Sequence, residues 1–394
     1  MPLGLVLADK GLNVTLLEVD QRKVSLILNG QMPFQEMGAE AILQRVVKKH
    51  LYATVDANCL IDANVVICVI GTPVDKHLNP TIKELYKTID GLTSRMQQNA
   101  LLVLRSTVYP GLTQLVYQRI LSGKKKIHLA FCPERIAEGK ALEELVELPQ
   151  IVAGCEPEAE RLAAEFFLQI APAVIRLSPL EAELAKLFSN SWRYLNFAVS
   201  NQFYMIAQSC GVDFYRIHEA ITRDYPRMQS FARAGFAAGP CLLKDTLQLS
   251  AFSKNNFFMG HAAMLINEGL PEAILEQLRQ SHAVNRRVAI LGMAFKGDSD
   301  DARDSLSYKL KNLLELYATE VLCTDPYVSD SSLVPLEEAI HKAEVIILGA
   351  PHSLYRNLSF DRKKTVIDVW GLWRRTGADV ESQEATMLQM RTGG

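Results

Sequence analysis

In the first third of the chain, short unbroken apolar runs alternate with stretches of helical character. The runs are "NVTLLEV" (13–19), "NVVICVIG" (64–71), "ALLVLRST" (100–107) and "KIHLAFCPE" (126–134). They are short, rich in β-branched residues and apolar throughout, which predicts strands of a parallel sheet covered on both faces. Each run ends in a polar or turn-forming residue: Glu18, Thr72, Thr107 and Glu134. Ligands of open α/β sheets gather at the carboxyl ends of the strands, so these four positions are the first site candidates.

From about 178 to 222 the period changes to that of a helix. Ser178-Pro179 followed by Glu181 has the form of a capped start, and Gly211 offers a stop. A helix of this length exceeds most globular helices and suggests a central spine or a dimer element. The last third returns to alternation, with strands expected at "RRVAILGMAF" (286–295), "TEVLCTDPYV" (319–328), "AEVIILGAPH" (343–352) and "KTVIDVWG" (364–371). The pattern predicts an α/β fold: two Rossmann-like, doubly wound parallel-sheet domains joined by a long central helix. The expected boundaries are 1–177, 178–275 and 276–394.

Composition narrows the class. A chain of 394 residues accommodates two or three domains, and 48% hydrophobic with 22% charged residues is ordinary for a globular protein. The net charge of -2 and the lack of a sustained basic patch argue against nucleic acid as a partner. The run Lys124-Lys125-Lys126 reads as a solvated loop. Nothing resembles a secretory leader, and no apolar run is long enough for a membrane span. Seven cysteines without a CxxC spacing point to reduced thiols, no metal site and a cytoplasmic setting.

One of those cysteines stands apart. In "GPCLLKD" (239–245), Cys241 follows Gly239-Pro240 at an expected helix start, where unpaired N–H groups and the helix dipole favour a thiolate. Lys244 and Asp245, at i+3 and i+4, share its helix face. A cysteine so placed can add to an aldehyde and later leave from a thioester. Lys186 and Asn190 lie at i, i+4 on the long helix, and an ammonium and an amide converging on one oxygen would stabilise an oxyanion.

Taken in order, "FCPERIAEGKA" (131–141), "ELAKLFSNSWR" (183–193), "GPCLLKD" (239–245) and "GMAFKGDSDDARDS" (292–305) resemble the UDP-sugar 6-dehydrogenases, the UDP-glucose and UDP-N-acetylmannosamine dehydrogenase family. The resemblance covers nearly the whole chain. It implies an NAD-dependent, four-electron oxidation of a sugar C6 alcohol to a carboxylate, a role in polysaccharide biosynthesis and a homodimer. It makes Cys241 the nucleophile, Asp245 its partner in proton handling, Lys186 and Asn190 the oxyanion donors, and Thr107 a holder of water and substrate. Glu134 and Glu138 are both candidates to activate the hydrolytic water, with Glu138 also among the expected cofactor contacts. Glu18 matches the acid that binds the adenosine ribose, Thr72 falls among the cofactor contacts, and Arg303 matches an arginine that reaches the cofactor phosphates. Lys244 and Lys296 are expected at the substrate.

The chain also departs from the family pattern. It opens with "MPLGLVLADKG", similar to the stretch that follows the family's first strand and GxGxVG turn, so that strand and turn are expected to be lacking, through a truncated or misassigned start or because the protein does without them. Ala238-Gly239-Pro240 stands where two glycines are usual. Lys244 is typical of the UDP-glucose branch, whereas "PERIAEG" is closer to the N-acetylhexosamine branch, leaving the sugar open. Two competing readings are a two-electron hydroxyacid dehydrogenase, which needs no cysteine, and a non-catalytic nucleotide-sugar-binding remnant.

Overall fold

The computed structural model describes residues 1–70, 82–123, 125–237 and 239–373. Thr72, Lys124 and Ala238 lie outside them. The chain forms two compact units: Met1–Arg193 with Cys241–His261, and Tyr194–Pro240 with Ala262–Gly394.

The first unit runs α1 (Pro2–Asp9), β1 (Val14–Leu17), α2 (Gln21–Leu28), α3 (Ala39–Val46), β2 (Leu51–Thr54), β3 (Val65–Cys68), α4 (Ile82–Arg95), β4 (Leu101–Leu104), α5 (Leu112–Leu121), β5 (His128–Phe131), α6 (Ala141–Glu147), β6 (Gln150–Gly154), α7 (Pro157–Phe167) and β7 (Val174–Arg176). The four expected strands form as β1, β3, β4 and β5. β2, β6 and β7 are additional. Strands β3-β4-β5-β6-β7 make one sheet and β1-β2 a separate parallel pair. Alternation places Leu101 and Val103 against α1 and α7, and Leu102 and Leu104 against α4 and α5, so both faces are covered. Helix α1 spans both sheets: Leu3, Val6 and Leu7 join the core of β3 and β4, while Leu5 and Ala8 join that of β2. Gly4 permits this approach, since a Cβ there would meet Leu16 Cδ2 at 2.8 Å.

One pair breaks the expected parallel order. β5 and β6 run antiparallel, with Ala130 opposite Gly154 and Phe131 opposite Ala153. The connection between them carries α6, of seven residues.

Helix α8 (Pro179–Ser209) is the expected long helix. Its start is a reciprocal capping box: Ser178 N–H and Oγ–H donate to Glu181 Oε2 at 2.8 and 2.7 Å, and Glu181 N–H donates to Ser178 Oγ at 3.4 Å. It stops at Gly211, whose φ of +67° is the left-handed conformation of a helix terminator. α9 (Phe214–Thr222) then starts on Asp213, whose carboxylate accepts from Tyr215 N–H at 2.8 Å.

After α10 (Leu242–Phe252) and α11 (Phe258–Glu268) come α12 (Leu270–Gln280), β8 (Arg287–Leu291), α13 (Leu306–Leu314), β9 (Glu320–Thr324), α14 (Leu336–Lys342), β10 (Val345–Leu348) and β11 (Thr365–Ile367). All four strands of the last third lie where expected, in the order β11-β10-β8-β9, all parallel. Val288 and Ile290 face α12 and α13, while Ala289 and Leu291 face α14. This second sheet is doubly wound.

Candidate active site

Cys241 is the N-cap residue of α10 and is exposed. The turn before it depends on Gly239, at φ +100°, where a Cβ would collide with the Phe295 ring at 2.6 Å. The Cys241 carbonyl accepts the Asp245 N–H at 2.9 Å, so the helix is wound from its first turn. None of the seven cysteines forms a disulfide.

Asp245 projects from that first turn and its side chain is fully buried. Asn190 Nδ2 donates to its Oδ2 at 2.6 Å, and Thr107 Oγ–H donates to the same oxygen at 3.4 Å. Oδ1 accepts no hydrogen bond, and Lys244 Nζ stands 3.8 Å from it. Burial pushes the Asp245 carboxyl above the usual carboxylate range, against the opposing pull of Lys244, Asn190, Lys186 and Thr107. Lys186, one turn before Asn190 on α8, feels the converse effect. Burial lowers its pKa, while Asp245, Cys241 and Glu134 raise it. The structure therefore brings Cys241, Lys186, Asn190, Asp245, Lys244 and Thr107 into one cluster, with Glu134 at its edge. All belong to the first unit.

Two buried residues that the sequence reading did not single out hold this cluster in place. Glu183, three residues before Lys186, reaches the start of α5: Oε2 accepts Gly111 N–H at 2.5 Å and Oε1 accepts Thr113 N–H at 2.8 Å. It caps α5 and ties the loop carrying Thr107 to α8. Arg105, with a side chain only 1% exposed, donates through Nε to Glu134 Oε2 at 2.8 Å, through Nη1 to the Cys132 carbonyl at 3.1 Å and through Nη2 to Gln150 Oε1 at 3.1 Å. Its guanidinium lies over the Phe167 ring, 5.0 Å from the centroid. A sequence signal existed for each: an arginine directly after an apolar strand, and an acid on the lysine's own helix turn.

Arg105 bears on the choice between the two glutamates. Glu134 Oε1 also accepts the N–H groups of Arg135 at 2.9 Å and Ile136 at 3.3 Å. With Arg105 on its other oxygen, this carboxylate is held by three donors. Glu138 lies in the turn before α6, a turn fixed by Glu36, whose oxygens accept Gly139 N–H at 3.0 Å and Ala141 N–H at 2.9 Å. Glu18 ends β1, with its Oε1 accepting Val19 N–H at 2.8 Å. Burial lowers the pKa of the Met1 amine at the start of α1, and the charges of Glu134 and Glu18 oppose the shift. In the second unit, Arg303 forms an ion pair with Asp301 at 2.5 Å, and Lys296 sits half-buried in the turn after β8.

The chain matches three family models in succession: the NAD binding domain of the UDP-glucose/GDP-mannose dehydrogenase family over residues 1–170, its central domain over 180–268 and its UDP binding domain over 289–375. It is 30% identical over 308 residues to the UDP-N-acetyl-D-mannosamine dehydrogenase of Methanocaldococcus jannaschii, covering 76% of this chain and 71% of that protein. It is 27% identical over 390 residues to the enzyme of that name from Pyrococcus horikoshii, covering 93% and 92%. The solved UDP-D-ManNAc dehydrogenase of Pyrococcus horikoshii superposes with a TM-score of 0.86 at 26% identity, over 95% of this chain and 94% of that one. A UDP-glucose dehydrogenase from Pyrobaculum islandicum shares the fold, with a TM-score of 0.84 at 24% identity over 93% and 95%. Among the described residues, no helix is long and apolar enough to cross a membrane.

Proposed function

The chain belongs to the UDP-glucose/GDP-mannose dehydrogenase family of NAD-dependent nucleotide-sugar oxidoreductases, and from that premise we propose that it oxidises the C6 alcohol of a UDP-N-acetylhexosamine to a carboxylate, through a thioester on Cys241. The observation that carries this reading is the convergence of α8, α10 and the loop after β4 on Asp245, beside a cysteine at the N-cap position of α10. The N-acetylhexosamine preference is supported by the sugar named for the relatives and by "PERIAEG"; Lys244 speaks for UDP-glucose.

The residues fit a dinucleotide. The first turn of α1, Pro2-Leu3-Gly4, offers the Leu3 and Gly4 N–H groups, which can take pyrophosphate oxygens. Glu18, at the end of β1, can accept the ribose hydroxyls. Two NAD in succession would supply the hydride acceptor, once for the C6 alcohol, giving the aldehyde, and once for the thiohemiacetal. The protein supplies the rest. The Cys241 thiolate adds to the C6 aldehyde carbon, and the oxygen that gains the electron pair is met by the Lys186 ammonium and the Asn190 amide. Asp245, held by Asn190 and Thr107, receives or returns protons beside that oxygen. Oxidation of the thiohemiacetal leaves a thioester. Water then adds to its carbonyl carbon, the C–S bond breaks and the thiolate returns. Glu134 has one lone-pair direction left to orient that water.

The long helix supports a homodimer. Phe188, Trp192, Val199, Phe203 and Ile206 follow one face of α8 and are between 44% and 60% exposed, and a second copy of this face would cover them.

The experiment is turnover with NAD and, in turn, UDP-N-acetylmannosamine, UDP-N-acetylgalactosamine and UDP-glucose, counting NADH per sugar consumed. Two NADH and no free aldehyde are expected with an N-acetylated substrate, and Cys241→Ser should stall before carboxylate release. One NADH per sugar, or normal two-NADH turnover by Cys241→Ser, overturns the mechanism.

A further inference from the structure

In the second unit, the turn that carries Lys296 is fastened to a loop at the neighbouring strand end. The turn follows β8 and the loop, 349–353, follows β10. The two approach through three glycines. A Cβ on Gly292 would meet Ala350 N at 2.5 Å, one on Gly297 the Pro351 carbonyl oxygen at 2.5 Å, and one on Gly349 the Gly292 carbonyl oxygen at 2.3 Å.

His352 lies at the centre of this contact, fully buried. Asp298 N–H donates to its Nδ1 at 2.9 Å, so Nδ1 carries no proton and the Nε2–H donates to Asp325 Oδ2 at 3.0 Å. That same Asp325 oxygen accepts Met293 N–H at 2.6 Å and Ala294 N–H at 3.0 Å. Its Oδ1 accepts Tyr327 N–H at 2.8 Å and Val328 N–H at 3.0 Å. Asp298 returns the contact, its Oδ1 accepting Ser353 N–H at 2.7 Å and Ser353 Oγ–H at 3.0 Å. Asp298 also holds φ at +55°, an uncommon conformation for a residue with a side chain, and such positions persist where the surroundings over-determine them. Both ends of the 293–298 turn thus reach one imidazole–carboxylate pair.

We propose that His352, with Asp325 and Asp298, is a positioning group for UDP-sugar binding: it fixes the turn that presents Lys296 to the nucleotide sugar. This rests on the reading of Lys296 as a substrate contact. A group of this kind acts on binding without touching the reacting atoms, so its removal should raise the KM for the UDP-sugar and leave kcat and the KM for NAD in place.

The test uses the whole chain, with UDP binding by calorimetry, full kinetics and melting curves. His352→Leu removes both hydrogen bonds of the ring. It is expected to weaken UDP and raise the UDP-sugar KM by about tenfold, the scale of one lost well-placed hydrogen bond, with kcat within about twofold. His352→Asn keeps an acceptor near the position of Nδ1 and should recover part of the loss. Asp298→Ala, on an exposed side chain, provides a second route should His352→Leu fail to fold, and is expected to act in the same direction. Lys296→Ala separates the two layers of the argument. If it leaves UDP affinity unchanged, the reading of Lys296 fails. If it weakens UDP while folded His352→Leu or Asp298→Ala does not, the positioning role fails. In the double variant Lys296→Ala/His352→Leu, a loss close to that of Lys296→Ala alone is expected, and fully additive losses overturn the proposal.

Discussion

Asn190→Ala offers the sharpest test of the site's electrostatics. It removes the 2.6 Å hydrogen bond to Asp245 Oδ2 and leaves that buried carboxylate with Thr107 at 3.4 Å and Lys244 at 3.8 Å. A hydrogen bond to a charged group contributes about 1.5–3 kcal/mol, and one between neutral groups about 1 kcal/mol. Asn190→Ala should therefore cost about 2 kcal/mol at neutral pH and about 1 kcal/mol in an Asp245→Asn background, a coupling of about 1 kcal/mol. The effect should depend on pH. Asn190 favours the ionised carboxylate, so its contribution is largest above the folded-state pKa of Asp245 and falls as the pH drops through it. Burial raises that pKa above 3.8, so ionisation itself costs stability. That cost is absent below 3.8 and grows as pH rises through the folded value, so Asp245→Asn should gain stability over the parent at neutral pH while losing turnover. The assay is calorimetric melting of the four proteins of the cycle between pH 5 and 8. For a unit of this size, about 2 kcal/mol corresponds to a shift of about 4–8 °C. Equal costs of Asn190→Ala in both backgrounds at every pH would refute the reasoning.

Three further outcomes are expected. Lys186→Met should slow turnover by about a hundredfold or more, as removal of an oxyanion donor does. It should also raise the melting temperature at neutral pH, because burial lowers the Lys186 pKa; the gain should fade as pH rises through the folded pKa and vanish by 10.5, where the unfolded lysine also loses its proton. Arg105→Met should take one of three donors from Glu134 and unfasten Cys132 and Gln150, costing about 2 kcal/mol or more through the lost hydrogen bonds; a melting temperature within about 2 °C of the parent by calorimetry would count against that role. Trp192→Glu with Phe203→Glu should convert a dimer to a monomer in sedimentation at tens of micromolar, and unchanged mass would exclude α8 as the contact.

The apolar pattern located eight strands that stand out as apolar runs, from β4, β5 and β10, buried at every position, to β1, exposed at alternate positions. β2, β6 and β7 did not stand out: "LYAT" and "VIR" carry exposed positions, and "QIVAG" is buried but bounded by Gln150 and Gly154. The antiparallel direction of β6 was beyond reach, because direction is set by which neighbour a strand pairs with and not by the strand's own residues. In the site, spacing put Cys241 beside Asp245 and Lys186 beside Asn190, because a helix converts i, i+4 into one face. Bringing the two helices together is a tertiary event, made by the Asn190–Asp245 hydrogen bond, whose partners lie 55 residues apart in the chain.

The antiparallel seam has a consequence for how the first unit comes apart. Only Ala130–Gly154 and Phe131–Ala153 are in register across β5 and β6, a narrow join in a sheet whose other neighbours share three or four pairs. Arg105 bolts this join from within, linking the end of β4 to the Cys132 carbonyl and to Gln150, with Phe167 of α7 beneath it. Opening should therefore begin along that line. β6, α7 and β7 would detach as one cooperative block, exchanging their amide hydrogens together and ahead of β4 and β5.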